Sequence, residues 1–309
     1  MRKPYVSVVI PNYNHAHYLD CRIQSVLNQT FTDFEVIILD DKSTDNSLQI
    51  INKYKDNPHI TQIVLNEKNS GSPFIQWNKG FNLAKGELIW IAESDDSCEA
   101  TFLETLVREF SHDNSMAYAF CRSRLLTENG EKKQVLQGMF NSNMHCKGSV
   151  FIQNYLIWGC LVYNASSVLF RKSLALSVDP LFSTFRAAGD WLFWIEMAEK
   201  GNVAVVSEPL NHYRAFGNNT TSRTRLNGIA DIEDRKIYEY VKSHGYLSWI
   251  NDLRIQKKYV KSIKYDNKYE DESIRERSLT LWHPTLLVQS MAHLSFFSKY
   301  LKKHFRNFS

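Results

Sequence analysis

The run Leu88-Ile89-Trp90-Ile91-Ala92-Glu93-Ser94-Asp95-Asp96 decides the fold. Five apolar residues lead directly into a cluster of carboxylates. An unbroken apolar run of that length is the pattern of a strand covered on both faces, as in parallel sheets. The acids then fall where the strand ends, and in open α/β sheets ligands bind beyond the carboxyl ends of the strands. Carboxylates this close repel one another unless a cation or hydrogen-bond donors sit among them. Mn²⁺ or Mg²⁺ bridging protein carboxylate and substrate phosphate suits the pattern, because hard cations take oxygen ligands and leave positions open. The competing reading is a solvated acidic loop that caps the following helix, since Asp and Ser cap well.

Upstream, the same grammar repeats. Tyr5-Val6-Ser7-Val8-Val9-Ile10 reads as a short buried strand, ended by the turn Pro11-Asn12-Tyr13-Asn14. A helix over residues 16–28 carries Leu19, Ile23, Val26 and Leu27 on one face. Phe34 to Leu39 is a second strand and ends in Asp40-Asp41. Ser43, Thr44 or Asp45 can cap the next helix. Ile60 to Leu65 is a third strand, and a helix over 74–84 precedes the deciding run. Strand and helix alternate through the first 110 residues, which predicts a doubly wound, mostly parallel sheet. Downstream the pattern loosens. Met116 to Cys121 and Ala165 to Phe170 read as strands, and 122–147 as loop or hairpin. Gly189-Asp190-Trp191 opens a helix that stops at Gly201. Val203 to Val206 is a strand, Pro209 to Arg214 leads into the loop 216–222, and the chain reads as helical from Ile229.

Charge divides the chain more clearly than composition does. From Arg235 to Ser309 there are 15 Lys and Arg against 7 Asp and Glu, whereas the whole 309-residue chain has a net charge of only +4. A slightly acidic body therefore carries a basic tail, which predicts an anionic partner for the tail. The expected division is 1–228 and 229–309. Five cysteines without paired or metal-type spacing fit a reducing compartment. The opening residues run straight into a strand pattern without the features of a signal peptide, so a cytoplasmic location is expected. No G-x-G-x-x-G or G-x-x-x-x-G-K-[ST] occurs, which removes the usual support for nicotinamide and P-loop chemistry.

Six segments in order carry a resemblance: Val6-Ser7-Val8-Val9-Ile10-Pro11-Asn12-Tyr13-Asn14, Ser25 to Thr30, Val36 to Ser47, Asn78 to Glu87, Glu93 to Asp96, and Gly189 to Trp194. Together they resemble family 2 inverting glycosyltransferases of the GT-A fold, of the bacterial surface-polysaccharide type, over roughly residues 4–222. The resemblance implies a metal-dependent hexosyl- or N-acetylhexosaminyl-transferase. Its donor would be a nucleotide-diphosphate sugar, a uridine nucleotide by expectation, and its acceptor a glycan, lipid-linked by expectation. The turn Pro11, Asn12, Tyr13 and Asn14 with Asp41 would hold the nucleoside, Tyr13 near the base. Asn78 and Lys79 would belong to the donor side. Asp95 would contact ribose, or donor sugar and metal together, and Asp96 would ligate the metal. Asp190 would be the catalytic base, and Trp191, beside it, the acceptor contact.

Each assignment has an ordinary alternative. Asp40 and Asp41 can be helix caps, Asp190 can cap its own helix, and Trp191 and Trp194, three apart, can be core. Two departures from the family pattern bear on the phosphates. Gln76-Trp77 stands where an Arg is common before Asn78, and no His follows Tyr213-Arg214; His212 precedes that pair and reads as structural. The phosphates would then depend on the metal and on Lys79 or Arg214. A non-catalytic nucleotide-sugar or glycan-binding subunit of the same fold is the rival reading. A nucleotidyltransferase is disfavoured by the lack of a triphosphate loop at Pro11–Asn14, and nucleic-acid binding by the lack of a reading motif.

In the tail, Leu287, Met291, Leu294, Phe297, Leu301, Phe305 and Phe308 follow helical steps, with Lys299, Lys302, Lys303, His304 and Arg306 among the last of them. This is a basic amphipathic pattern. It predicts an in-plane contact with the inner face of the plasma membrane, or packing on its own domain or on a second subunit of a homo-oligomer. His283, Pro284, Gln289, Ser290 and His293 argue against a membrane span.

Overall fold

The structure, a computed structural model, describes residues 3–127, 130–214, 220–266 and 269–305, the last nine and 220–222 by backbone alone. The strands Val6–Asn12 (β1), Phe34–Asp40 (β2), Ile60–Leu65 (β3) and Leu88–Ile91 (β4) alternate with the helices Ala16–Leu27 (α1), Ser47–Lys53 (α2) and Pro73–Leu83 (α3). β1, β2 and β4 are buried along almost their whole length, as their uninterrupted apolar sequences require. β1 pairs in parallel with β2, Val6 opposite Phe34 and Asn12 opposite Asp40, and with β4 on its other edge. β3 extends the parallel set beyond β2.

The second half widens this sheet. Ser97–Cys98 (β5), Phe102–His112 (α4), Met116–Leu126 (β6), Lys132–Val135 (β7), Met144–Lys147 (β8), Gly148–Asn154 (α5), Val168–Arg171 (β9), Lys172–Ala175 (α6), Gly189–Glu199 (α7) and Asn202–Arg214 (β10) follow in order. Among the described residues the sheet has ten strands, in the order β3-β2-β1-β4-β9-β6-β10-β5, with β7 on β6 and β8 on β10. β9 runs antiparallel to both β4 and β6, while β6 and β10 are parallel. This is the α/β sheet expected, mostly parallel with an antiparallel insertion.

One detail differs from the expected elements, for a local reason. β10 is one strand through Pro209, which a strand interior excludes unless the ladder is interrupted. The register shifts between Val206 and Asn211, so Pro209 sits in the irregularity and owes no N–H. The interval 122–147, expected as loop or hairpin, holds the end of β6, the strand β7 that pairs back on it antiparallel, and the short strand β8.

The order β3-β2-β1-β4 reverses direction at β1, so the carboxyl ends of β1 and β4 open a crevice between them. α3 lies close over β1 because residue 80 is glycine: a Cβ there would stand 2.6 Å from Val9 Cγ1. The aromatic core behind α7 includes Trp77, Phe81, Phe170, Phe193 and Trp194, with Phe81 stacked on Phe193 at 5.6 Å.

The chain forms two compact units, Met1–Phe185 with Gly189–Phe216, and Arg186–Ala188 with Gly217–Ser309. The second is helical: Thr220–Leu226 (α8), Ile229–Ser243 (α9), Trp249–Tyr265 (α10), Glu272–Trp282 (α11) and Leu286–Phe305 (α12). Ser248 and Asp271 cap α10 and α11 with side-chain oxygens. Trp282 is buried against Tyr259, rings stacked at 4.3 Å, and Asp231 accepts hydrogen bonds from Tyr269 and Ser278. α12 buries Val288 and Ala292 and exposes Leu286, Leu287 and Leu294. The expected apolar positions from Phe297 onward, and the basic residues among them, lie outside the described side chains. Among the described residues no helix is long and apolar enough to cross a membrane.

Candidate active site

At the end of β4 the chain turns through Glu93, Ser94, Asp95 and Asp96 and pairs briefly with β10 as β5. One carboxylate oxygen from each of Glu93, Asp95 and Asp96 lies within 4.8 Å of the others. The turn is held by its main chain. The Glu93 N–H donates to Ser166 Oγ at 3.0 Å, and the Glu93 carbonyl accepts from Arg22 Nε at 2.9 Å. The Asp95 carbonyl accepts from Arg214 Nη1 at 2.5 Å, and the Arg214 guanidinium stacks over Tyr18 with its centre 4.8 Å away. Backbone anchoring of this kind does not occupy the Glu93 and Asp95 carboxylates.

Asp96 is treated differently. It is 1% exposed. Its Oδ1 accepts from the Arg214 N–H at 3.0 Å and its Oδ2 from Asn164 Nδ2. Asn164 is braced in turn by Asn211 at 3.0 Å, and Asn211 by Ser123 at 3.0 Å. Burial pushes the Asp96 carboxyl up to about 7, the neighbouring Asp95 adds to the rise, and Arg22 opposes it. Glu93 is raised well above the carboxylate range, first by burial and then by the charges of Asp95, Asp96 and Asp190. Asp95 is raised by burial against the pull of Arg22 and Arg214. Carboxyls that resist ionisation because they are buried, and in Glu93 and Asp96 also because acids crowd beside them, fit a divalent cation, which would favour the charged forms with an all-oxygen donor set.

Asp190 sits in the first turn of α7, half-buried. Residue 189 must be glycine, because a Cβ would lie 2.4 Å from the Phe182 carbonyl oxygen and 2.7 Å from the Phe74 ring. Asp190 Oδ1 accepts the Trp191 N–H at 2.8 Å, and Oδ2 stands 3.9 Å from Cys160 Sγ. It lies near enough for its charge to raise the Glu93 carboxyl and the Tyr213 hydroxyl further. Trp191 is buried, with its indole N–H donated to the Leu156 carbonyl at 2.8 Å, and Trp194 is wholly buried.

The nucleoside end expected at β1 and β2 is a separate network. Asp41 N–H extends the sheet pairing by donating to the Asn12 carbonyl at 2.8 Å. The Asp41 carboxylate accepts from Asn66 Nδ2 (2.6 Å), Ser70 N–H (2.9 Å), Ser70 Oγ (2.7 Å) and Gln76 Nε2 (2.9 Å). Gln76 therefore has a partner in place of the Arg that the family pattern led one to look for nearby. Asn12 is buried and donates to Asp40 at 2.8 Å and to Ser43 Oγ at 3.1 Å. Asn14 adopts φ 55 and accepts the Thr44 N–H at 2.7 Å. Pro11 is half-buried and Tyr13 is 46% exposed. Asn78 and Lys79 are half-buried on α3, where Lys79 donates to Asn66 Oδ1. Asp45 joins two helices: it accepts the Ala16 N–H at the start of α1 (2.8 Å) and the Ser47 N–H at the start of α2 (3.0 Å). His212 is placed between Ser97 Oγ and Glu99 Oε1, a structural setting.

Residues that sequence reasoning missed are Arg22, Asn164, Ser166 and Asn211. Only Arg22 left a usable signal. It lies three residues after Leu19 and four before Val26, on the apolar face of α1.

Comparison with known proteins places the chain in a family. The model of the family described as glycosyl transferase family 2 matches residues 7–174. The poly(ribitol-phosphate) β-N-acetylglucosaminyltransferase TarP of Staphylococcus aureus (strain N315) is 30% identical over 270 residues, 85% of this chain and 74% of that protein. The hyaluronan synthase of Pasteurella multocida is 38% identical over 130 residues, 42% of this chain, and the match spans only 13% of that much longer protein. The crystal structure of S. aureus TarS 1-349 in complex with UDP-GlcNAc shares the fold, with a TM-score of 0.58 at 20% identity, over 90% of this chain and 71% of that one. The chain belongs to glycosyl transferase family 2 and has the GT-A fold.

Proposed function

We propose that this chain transfers a sugar from a nucleotide-diphosphate sugar, uridine-linked, to a hydroxyl of a glycan acceptor in surface-polysaccharide synthesis. The acceptor oxygen forms its bond to the anomeric carbon as the bond to the diphosphate breaks on the opposite face. The diphosphate leaves with the electron pair, and the hydroxyl proton passes to Asp190. One displacement inverts the centre, so an α-linked donor gives a β-linkage.

The observation that carries this reading is the convergence of Glu93, Asp95 and Asp96, with Asp190 acting on the same cluster. These three carboxylates would hold Mn²⁺ or Mg²⁺, which when bound would neutralise charge on the departing diphosphate as a Lewis acid. Asp190 is held by the Trp191 N–H, which keeps one oxygen occupied and orients the other. Proton transfer to such a base contributes typically about 100- to 10,000-fold in rate. On this reading Tyr13 and Asp41, at the ends of β1 and β2, would take the nucleoside, and Asn78 and Lys79 on α3 would serve the donor. The UDP-GlcNAc complex of TarS supports a uridine nucleotide as the first donor to try. On the same reading, Leu286, Leu287 and Leu294, exposed on α12, and the basic tail bring the enzyme to the inner face of the plasma membrane, where a lipid-linked acceptor would be met.

The test is a thermal-shift and hydrolysis screen of nucleotide sugars with and without Mn²⁺. A ligand that binds the folded state raises its stability by mass action, so the acceptor need not be known. Metal-dependent stabilisation by one nucleotide sugar with slow release of its nucleotide is expected. No stabilisation by any nucleotide would overturn the reading.

A further inference from the structure

α1 carries a guanidinium on its apolar face. Arg22 is 0% exposed and lies under the turn that ends β4. Its Nε–H donates to the Glu93 carbonyl at 2.9 Å, and its guanidinium carbon stands 5.5 Å from the centre of the Trp90 ring. Nη2 is 4.0 Å from Asp96 Oδ2, a charge contact without a hydrogen bond, and the Cys98 thiol, a weak acceptor, lies beside the guanidinium, while no oxygen acceptor meets Nη1 or Nη2 at hydrogen-bond geometry.

Stability does not account for this arrangement. A buried cation with unsatisfied N–H groups is expensive to desolvate, and an apolar side chain of similar volume generally serves a core as well or better. What Arg22 does have is position. It grips the main chain of Glu93 and leaves the carboxylate alone, and its charge sits behind Glu93, Asp95 and Asp96, opposing their mutual repulsion. Arg214 grips the Asp95 carbonyl in the same manner. The acidic turn is thus held by fixed cations through the carbonyls of Glu93 and Asp95, and these bonds leave the Glu93 and Asp95 carboxylates unused.

We infer that Arg22 is a positioning residue of the metal centre: a permanent internal cation that fixes the Glu93–Asp96 turn from beneath, so that its carboxylates converge on a divalent ion and the donor diphosphate. The inference rests on reading that turn as the metal centre. Groups that orient metal ligands from behind typically change metal affinity by about 10- to 100-fold when removed.

The experiment is calorimetric titration of the full chain with UDP, in the presence and absence of Mn²⁺, for wild type, Arg22→Met, Arg22→Lys and Val26→Ala. In Arg22→Met the gain in UDP affinity conferred by Mn²⁺ falls about tenfold or more. UDP affinity without metal, which depends on the nucleoside end, stays within about twofold. Arg22→Lys keeps the charge but not the planar fork, and recovers only part of the gain. Val26→Ala, on the same buried helix face, lowers Tm and leaves the Mn²⁺ gain at its wild-type value, which separates positioning from general loosening. An undiminished Mn²⁺ gain in Arg22→Met overturns the inference while leaving the metal centre intact. If Arg22→Met does not fold, Arg22→Lys decides, and a wild-type gain there overturns it equally. Absence of any Mn²⁺ gain in the wild type overturns the metal centre itself and the inference with it.

Discussion

Asn164 donates its side-chain amide to the inner oxygen of Asp96, and that oxygen also faces the buried Arg22. The outer oxygen takes the backbone N–H of Arg214 at 3.0 Å. The most deeply buried carboxylate of the cluster is therefore oriented before any ligand arrives. Asp96→Asn keeps the volume and removes the charge. It is expected to abolish the Mn²⁺-dependent part of UDP affinity while UDP binding without metal persists. Calorimetry with and without Mn²⁺ checks this, and equal Mn²⁺ gains in mutant and wild type would reject Asp96 as a ligand.

Asp190→Asn retains the hydrogen bond from Trp191 to its carbonyl oxygen and loses the ability to take a proton. Transfer should fall by about 100-fold or more, the typical worth of a positioned base. Nucleotide and metal affinities should stay within about twofold, because ground-state binding does not use the proton acceptor. Single-turnover transfer and a parallel binding titration separate the two effects. Wild-type turnover in the mutant would sink the base assignment.

Metal binding and pH are linked through the same carboxyls. Burial pushes the Asp96 carboxyl up to about 7 in the folded chain, against about 3.9 for an aspartate in an unfolded chain. Between those limits the folded state holds a proton that the unfolded state has released, so without metal this group makes stability fall as pH rises through the window. A divalent cation needs the carboxylate ionised and displaces that proton. The rise in Tm on adding Mn²⁺ should therefore be small at pH 5.5, grow through about pH 7, and level off above it. His15, held below its usual range by burial, acts in the opposite direction but is present with and without metal. A Mn²⁺-induced shift independent of pH from 5.5 to 8 would contradict the linkage.

Gly189→Ala tests the turn that delivers Asp190. A methyl group there meets the Phe182 carbonyl oxygen at 2.4 Å and the Phe74 ring at 2.7 Å, so the backbone or the ring must move. Overpacking of this kind costs about 1–3 kcal/mol. Urea unfolding should show a lower midpoint with an unchanged slope, and transfer should drop more than nucleotide affinity. An unchanged midpoint would mean that the turn relaxes without strain.

Much of this architecture is legible in the chain because its strands are buried on both faces. Val6–Ile10, Phe34–Leu39 and Leu88–Ala92 announce themselves as apolar runs, and each ends in the polar residues that form the rim. Trp191 and Trp194 lie in a largely apolar helix and both are buried, which suits the core alternative for the pair, while the acceptor contact expected of Trp191 depended on a surface that spacing alone does not reveal. Other features depend on partners far away in sequence. Asn164 and Asn211 are 68 and 115 residues from Asp96, and nothing local distinguishes them from ordinary loop and strand asparagines. The antiparallel insertion of β9 between β4 and β6 is likewise set by long-range pairing. Arg22 was hidden differently, since a charged residue on a helix is ordinarily assigned to solvent, and only its three-residue step from Leu19 contradicts that.

The turn at the end of β4 is suspended by atoms that every amino acid possesses. The peptide groups of Glu93 and Asp95 take their anchors from Ser166, Arg22 and Arg214, so the path of the chain does not depend on which side chains stand at those two positions. Substitution at 93 or 95 can alter the chemistry offered at the rim in a single step without the backbone losing its course. Whatever groups those two positions present, the frame beneath them keeps its course.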